Sequence, residues 1–153
     1  MPTVWRLTVP AYARKLDGEG NRRHGARWNS PGRGVVYTAE HLSLCVLEAL
    51  AHLPPELRGS LPPMSAVSLD IPKVAILAVS REEIPGAGDL AKWCRSKGDA
   101  WLEEGRFLAL SAPSIIVPQE RNVMLNPRHP GMEKVKIVSV EEFRFDTRLQ
   151  AQS

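Results

Sequence analysis

The chain has few cysteines, few aromatic residues and no long apolar run. Its 153 residues include only two cysteines, Cys45 and Cys94, and 6% aromatic residues. Two distant thiols exclude a disulfide framework and indicate buried cysteines in a reducing compartment. No apolar stretch approaches the roughly 20 residues that span a bilayer. The N-terminus, "MPTVWRLTVP", has no signal-peptide layout. We therefore expect a cytoplasmic protein without a membrane partner.

Internal repeats, low-complexity segments and nucleic-acid-binding motifs are also missing. The chain shows no helix-turn-helix, zinc-finger or aromatic RNA-binding pattern, so we expect no direct contact with nucleic acid. Its 43% apolar and 24% charged residues are ordinary for a globular protein. The length fits one domain with a substantial core. The net charge of +3 suits an anionic ligand or an acidic partner.

The hydrophobic pattern predicts strands interrupted by two helical regions. The strand candidates are residues 4–9, 35–37, 66–71, 74–79, 114–117, 122–125 and 135–140. One helix should begin after Thr38, a plausible N-cap, and end near Leu53, where residues 54–63 break it. One or two further helices are predicted over residues 89–106, around Gly98. Residues 13–34 and 126–131 should be mostly loop. This order predicts a mixed α+β fold rather than a doubly wound one.

One carboxylate, Glu48, lies in a segment that is otherwise apolar nearly all round, as expected of a buried helix. His41 and His52 fall within roughly 40° of it on the helical projection. An ionised carboxylate in such a place must be paired, protonated or set in a cleft. Three interpretations stay open. Glu48 is bonded to an arginine or to backbone amides, acts in catalysis, or binds a metal with the two histidines, although their spacing matches no known ligand motif.

Upstream, the loop "GARWNSPGRG" places Arg27 among glycines, with Arg22, Arg23 and Arg33 nearby. Glycines let a ligand approach the backbone closely, and arginines bind phosphates. Taken alone, a solvated basic loop explains this composition equally well. The loop is neither a Walker A motif nor a dinucleotide-binding fingerprint.

A third polar segment, "PSIIVPQERNVMLNPRHPG", puts Ser114 and Asn122 at the heads of two apolar runs. On composition alone these are turn residues. No G-x-S-x-G elbow surrounds Ser114, so a serine hydrolase is not indicated.

Taken together, these segments resemble the RES domain family, which is named for Arg, Glu and Ser residues and contains toxins of bacterial toxin–antitoxin pairs. The resemblance runs from "WRL" through "GARWNSPGRGVVYTAEHLSLCVLEALAHL" to "PSIIVPQERNVMLNPRHPGMEKVKI". Arg27, Tyr37 and Glu48 match the family pattern in order and spacing, as does the late segment with Ser114 and Asn122.

The resemblance implies one RES domain over residues 1–153, with a fold like that of the ADP-ribosyltransferase toxins and an NAD cleft between small β-sheets and flanking helices. NAD would be a substrate, no metal would be needed, and the nicotinamide–ribose bond would be cleaved. Glu48 would stabilise the oxocarbenium-like state, Tyr37 would stack on nicotinamide, and Arg27 would hold the pyrophosphate or ribose. Ser114 would orient the nicotinamide half, with Asn122 in the same pocket.

The resemblance leaves the fate of ADP-ribose open. It implies transfer to a host protein, such as phosphoribosyl pyrophosphate synthetase, or transfer to water or phosphate with depletion of NAD. Arginine-modifying transferases carry an acid two residues before the catalytic Glu, and Val46 stands there, which argues against arginine as acceptor. The family also implies an Xre-type antitoxin that occludes the site. The competing interpretations are a non-enzymatic anion- or partner-binding module, or a metal-dependent hydrolase using His41, Glu48 and His52.

Overall fold

The computed structural model describes residues 2–54, 56, 59, 61–73 and 76–149. Along these residues the chain forms seven strands and three α-helices. The strands are β1 (Thr3–Thr8), β2 (Val36–Ala39), β3 (Met64–Asp70), β4 (Ile76–Ala78), β5 (Ala109–Pro113), β6 (Arg121–Leu125) and β7 (Lys136–Phe143). The helices are α1 (Glu19–Arg22), α2 (Leu42–His52) and α3 (Leu90–Glu104). The α+β prediction is confirmed. In the described part of the chain, no helix has the length and apolar character needed to cross a membrane.

All seven strands form one sheet in the order β4-β5-β6-β2-β1-β3-β7. The β4–β5 pair is parallel and every other neighbouring pair is antiparallel. At its middle the sheet is joined weakly, because β1 and β2 pair through Trp5 and Ala39 alone. The sheet therefore consists of a four-stranded and a three-stranded half that meet at a seam. The two small sheets implied by the resemblance are these halves of one sheet.

The strand register places the polar residues of interest on one face of the four-stranded half. Tyr37 pairs with Met124, and Ala39 pairs with Asn122, across β2 and β6. Directly opposed residues share a face and alternate residues return to it, so Tyr37 and Asn122 lie on the same side. Helix α3 packs on this face through a buried cluster that includes Met124 and Trp101. The rest of the face is left for the site.

The start of α2 differs from its prediction. Thr38 is not an N-cap: it lies inside β2, 3% exposed, and its hydroxyl donates to the Val123 carbonyl at 2.5 Å. The helix begins at Leu42 after His41, whose side chain makes no capping hydrogen bond. Threonine is common both at helix N-caps and in strands. Here it is in a strand, because β2 pairs with β6 and Thr38 bonds to a β6 carbonyl.

The apolar run at 114–117 is not a strand. Strand β5 ends at Pro113, and the Ser114 hydroxyl accepts the amides of Ile116 and Val117 at 3.1 and 3.2 Å. A side chain that takes both amides closes a turn and withdraws them from any ladder. The strands predicted at 122–125 and 135–140 are confirmed as β6 and β7.

Residues 90–104 form one helix rather than two, and Gly98 lies inside it without a break. Residues 13–34 are mostly loop, as predicted, apart from the single turn α1. Residues 74 and 75 of the predicted strand 74–79 lie outside the described residues, as do 55, 57, 58 and 60 of the predicted break.

Candidate active site

A cavity of about 760 Å³ opens at the seam of the sheet, beneath α2. Its walls come from β1, β2, β6, α2, the basic loop and the turn after β5. They include Leu7, Ala26, Arg27, Trp28, Tyr37, Thr38, Cys45, Glu48, Ala49, Ala51, His52, Ile115, Ile116 and Asn122. Four of the five predicted site residues line this one cavity although they lie far apart in sequence.

Helix α2 is not buried on all sides as its composition predicted. Leu44 and Cys45 pack on Ala39 of the sheet, whereas Leu47 is 47% exposed. The helix covers the seam, and its outer surface carries the exposed Leu47. Glu48 lies half-buried on its cavity side.

Two neutral donors hold the Glu48 carboxylate, one on each oxygen. The Asn122 amide donates to Oε1 at 2.8 Å, and the Ser114 hydroxyl donates to Oε2 at 3.1 Å. Among the described residues Glu48 forms no ion pair. The carboxylate is therefore fixed in orientation while its negative charge is left unneutralised. An arginine or backbone amides, expected in the structural interpretation, are not its partners.

Ser114 is buried beneath Glu48 and has no free hydrogen-bonding capacity. Its side chain is 1% exposed and its hydroxyl donates to Glu48 while accepting the amides of Ile116 and Val117. This geometry turns Ser114 towards the carboxylate, whereas Asn122 both bonds to Glu48 and lines the cavity.

The Tyr37 hydroxyl is fixed by the basic loop. It accepts the Trp28 amide at 3.0 Å and donates to Asn29 Oδ1 at 2.5 Å. Burial raises the pKa of Tyr37 well above its usual range, so the phenol is neutral. Both hydrogen bonds of the hydroxyl go to the basic loop, and Tyr37 lines the cavity.

Arg27 is the cation of the basic loop that reaches the cavity wall. It is half-buried and has no carboxylate partner in an ion pair within the described part of the chain. Burial raises the pKa of the Cys94 thiol, and the nearby Arg27 guanidinium opposes part of that rise. Most of the hydrogen-bonding capacity of the guanidinium is left for an anionic ligand.

The arginines on either side of Arg27 in the sequence, Arg22, Arg23 and Arg33, do not join it in the cavity. Arg22 pairs with Glu19 at 2.8 Å and Arg33 pairs with Glu103 at 2.6 Å. Both line a second cavity, of about 210 Å³. Arg23 is exposed. Of the four arginines Arg22, Arg23, Arg27 and Arg33, it is therefore Arg27 that faces the main cavity.

Close packing against α3 sets the position of the basic loop. A Cβ added at Gly98 would lie 1.7 Å from the Trp28 carbonyl oxygen, so the helix and loop can touch only at glycine. One residue later, Asp99 accepts the Ser30 amide at 3.0 Å and the Ser30 hydroxyl at 2.5 Å. The loop that carries Arg27 is docked on the helix.

The two histidines near Glu48 do not form a metal site with it. His41 pairs with Glu120 at 3.0 Å, and His52 lies at the cavity wall. In the parts of the chain that the structure describes, no three His, Cys, Asp or Glu side chains form a group that could hold a metal ion. The hydrolase based on His41, Glu48 and His52 has no structural support.

Comparison with known proteins identifies the family. The RES domain model matches residues 3–147. A Sphingobium sp. protein named Prs ADP-ribosylating toxin is 32% identical, with 96% of each chain covered. The chain belongs to the RES domain family. Toxin Res of Pseudomonas putida is 34% identical, with 95% of this chain and 98% of that toxin covered.

The fold of this RES domain is shared with a solved structure. In the crystal structure of the M. tuberculosis MbcT-MbcA toxin-antitoxin complex, one chain matches with a TM-score of 0.68 at 19% identity. The match covers 92% of this chain and 83% of that one. Because the relatives that it matches over nearly their whole length are named toxins, the chain is a RES-domain toxin.

Sequence reasoning missed several residues of the site. Asn29 and Asp99, which fix the basic loop, gave only the signal of small polar residues beside glycines. Ile115 and Ile116 were assigned to a strand, but they line the cavity because the Ser114 turn bends the chain there. A turn of this kind has no periodicity that distinguishes it from a short buried strand.

Proposed function

We propose that this RES-domain toxin cleaves the nicotinamide–ribose bond of NAD and passes ADP-ribose to an acceptor. The observation that carries the proposal is Glu48, a carboxylate oriented by two neutral donors on the wall of a cavity that also presents Arg27 and Tyr37. The name of the Sphingobium relative, an ADP-ribosylating toxin, supports the same chemistry.

The reaction needs negative charge beside the breaking bond. When the bond between nicotinamide N1 and ribose C1′ breaks, its electron pair leaves with neutral nicotinamide and positive charge develops on the ribose. An oriented carboxylate stabilises that charge more than the ground state, which is what accelerates the step. The acceptor then bonds to C1′ and releases its proton. Glu48 is the group of this chain that meets the requirement.

The cavity has the size and chemistry for NAD. Its volume of about 760 Å³ lies within the roughly 300–1,000 Å³ typical of ligand pockets. Arg27 supplies a planar donor fork for the pyrophosphate. The Tyr37 ring, together with Ile115 and Ile116 of the wall, supplies apolar surface for the nicotinamide ring.

Ser114 and Asn122 act as positioning residues for Glu48 in this proposal. Loss of either donor would let the carboxylate rotate away from the ribose. Because Ser114 is saturated by Glu48 and by two backbone amides, it contributes through Glu48 instead of touching nicotinamide. Asn122 is also placed to contact substrate, since it lines the cavity.

A host protein is the acceptor we propose, with water and phosphate as the other outcomes of a test. Val46 stands where an arginine-modifying transferase would carry its second acid, so the modified residue should not be arginine. We further propose an Xre-type antitoxin that covers the cavity, as the M. tuberculosis neighbour is a toxin–antitoxin complex. Ile115 and Ile116 of the cavity wall, each 41% exposed, suit an apolar contact with it.

The test is nicotinamide release from NAD by wild type and Glu48→Gln. Glutamine keeps the shape and removes the charge, so release should fall by roughly two to four powers of ten while folding is retained. Glu104→Gln removes an exposed carboxylate of α3 that forms no ion pair in the described part of the chain, so it is the matched control and should keep normal release. A folded Glu48→Gln protein with near-normal release would exclude the role of Glu48.

A mass spectrum of the products, with NAD and a cell lysate present, identifies the acceptor. A protein gaining ADP-ribose supports transfer, and free ADP-ribose or ADP-ribose phosphate supports hydrolysis or phosphorolysis. Binding of NAD without any nicotinamide release would instead support a non-enzymatic binding module.

A further inference from the structure

We propose that Asn29 is a positioning residue for substrate binding, which holds both Tyr37 and the backbone around Arg27 in their binding geometry. The inference rests on the proposed NAD-cleaving function. It concerns a residue that does not itself line the cavity.

Asn29 is fully buried, at 0% exposed, and both ends of its amide are used. Its Oδ1 accepts the Tyr37 hydroxyl at 2.5 Å. Its Nδ2 donates to the Arg33 carbonyl at 2.6 Å and to Asn21 Oδ1 at 3.1 Å. A buried amide that is bonded through its oxygen and through both N–H groups favours one arrangement strongly, because an unpaired polar group there is costly.

These contacts hold the loop on either side of Arg27. The Ala26 amide donates to the Asn29 carbonyl at 2.9 Å, and the Trp28 amide donates to the Tyr37 hydroxyl that Asn29 binds. Both chain neighbours of Arg27 are therefore fixed through residue 29, Ala26 by its main-chain carbonyl and Trp28 by way of Tyr37. Their positions depend on the two Nδ2 bonds that hold residue 29 in place. A ligand that meets Arg27 and Tyr37 already in place pays less ordering entropy on binding.

The position requires an asparagine because it needs an acceptor and two donor hydrogens in one short side chain. An aspartate could still accept from Tyr37, but it has no hydrogen to donate at neutral pH. Its second oxygen would face the Arg33 carbonyl and Asn21 Oδ1, which are both acceptors. Asn29→Asp therefore loses the hydrogen bonds to the Arg33 carbonyl and to Asn21, and it keeps the hydrogen bond from the Tyr37 hydroxyl.

The inference separates substrate binding from the chemical step. Glu48 is held by Asn122 of β6 and by Ser114 in the turn after β5, whereas the Asn29 side chain bonds to Asn21, Arg33 and Tyr37. Loosening the loop should therefore weaken NAD binding and leave the carboxylate in place. A merely structural role would lower the amount of folded protein without raising KM while kcat stays the same.

The experiment compares wild type, Asn29→Asp and Ser68→Ala. Ser68 is the matched control because it is buried and its hydroxyl bonds to that of Ser139 at 2.6 Å between β3 and β7, with neither residue lining the cavity. We expect Asn29→Asp to raise the KM for NAD by about tenfold or more and to change kcat by less than about threefold. Ser68→Ala should change neither.

Two readouts do not require turnover. Trypsin should cut after the loop arginines faster in Asn29→Asp than in wild type or Ser68→Ala, because the loop opens. Calorimetry in a Glu48→Gln background should show the same roughly tenfold weaker NAD binding when Asn29→Asp is added.

The outcomes distinguish this inference from the proposed function. Absence of nicotinamide release by wild type refutes the proposed function. Unchanged KM and NAD affinity in Asn29→Asp, or a fall confined to kcat, overturns the role of Asn29 even if wild type is active. If Asn29→Asp fails to fold, Tyr37→Phe, which removes the bonded hydroxyl and keeps the ring, must raise KM in the same way for the inference to stand.

Discussion

Replacing Gly98 by alanine should disturb both stability and the site, although alanine favours helices. The added Cβ would lie 1.7 Å from the Trp28 carbonyl oxygen and 2.6 Å from its carbonyl carbon. Real Cβ contacts are longer than 3.0 Å, so α3 and the basic loop would have to separate by more than an ångström. The obstacle is backbone on both sides and no side-chain rotation relieves it.

The magnitude follows from two opposing effects. Exchanging an interior helix glycine for alanine contributes about 1 kcal/mol in favour of folding. Overpacking against fixed backbone costs about 1–3 kcal/mol and occasionally more, and weakening the hydrogen bonds that Ser30 donates to Asp99 costs about 1 kcal/mol in addition. We expect a net loss of about 1–3 kcal/mol, which is roughly a 3–10 °C fall in Tm for a chain of this size. Because Trp28 adjoins Arg27, the KM for NAD should rise as well.

The assay pairs thermal unfolding with nicotinamide release for wild type, Gly98→Ala and Gly20→Ala. Gly20 is the control because a Cβ there meets nothing within 4 Å and its φ is not positive. Gly20→Ala should keep the wild-type Tm or raise it slightly, with unchanged KM. A Gly98→Ala protein as stable and as active as Gly20→Ala would refute the packing argument.

Three further predictions concern the cavity. Arg27→Lys should not restore growth arrest, because a point charge cannot replace a bidentate fork, and full arrest at equal expression would contradict this. Burial, and secondarily Glu48, raises the pKa of Cys45 to about 12. Its thiol should therefore alkylate far more slowly in native than in unfolded protein at pH 8, and alkylation at the unfolded rate would show that Cys45 is not buried. The free energy of unfolding should also fall as the pH rises from the unfolded pKa of 9.0 towards the folded pKa of about 12, because the unfolded thiol ionises first. A purified complex with the antitoxin should release nicotinamide more slowly than free toxin, and an equal rate would exclude occlusion of the cavity.

Strands with alternating or β-branched residues could be predicted from the sequence, but β5 could not. Its sequence, ALSAP, consists of residues with little strand preference, yet all five residues are buried between β4 and β6. Its strand state comes from its neighbours, a tertiary effect that overrides local preference. The run 114–117 shows the reverse, since good strand formers become a turn once Ser114 takes two of their amides.

The candidate site could be located from the sequence, but its internal arrangement could not. A lone carboxylate in an apolar helix marked Glu48, and the family resemblance marked the other four residues. The bonds from Ser114 and Asn122 to Glu48 span 66 and 74 residues, and no local pattern encodes contacts at that separation. The sequence likewise could not predict that Arg22 and Arg33 lie outside the cavity, because their positions depend on ion pairs with Glu19 and with Glu103 of α3.

The choice of partners for Glu48 explains why a charge can remain in an apolar helix. An arginine would have satisfied the buried carboxylate and also cancelled the charge that an oxocarbenium-like state requires. An amide and a hydroxyl satisfy both oxygens with hydrogen bonds yet carry no net charge, so the field of the carboxylate extends into the cavity. Both donors come from the four-stranded half of the sheet and its β5–β6 turn, and the carboxylate comes from the helix that crosses the seam. The carboxylate is thus oriented only when the helix is docked on the sheet, which ties the proposed catalytic geometry to the packing of Leu44 and Cys45 on Ala39.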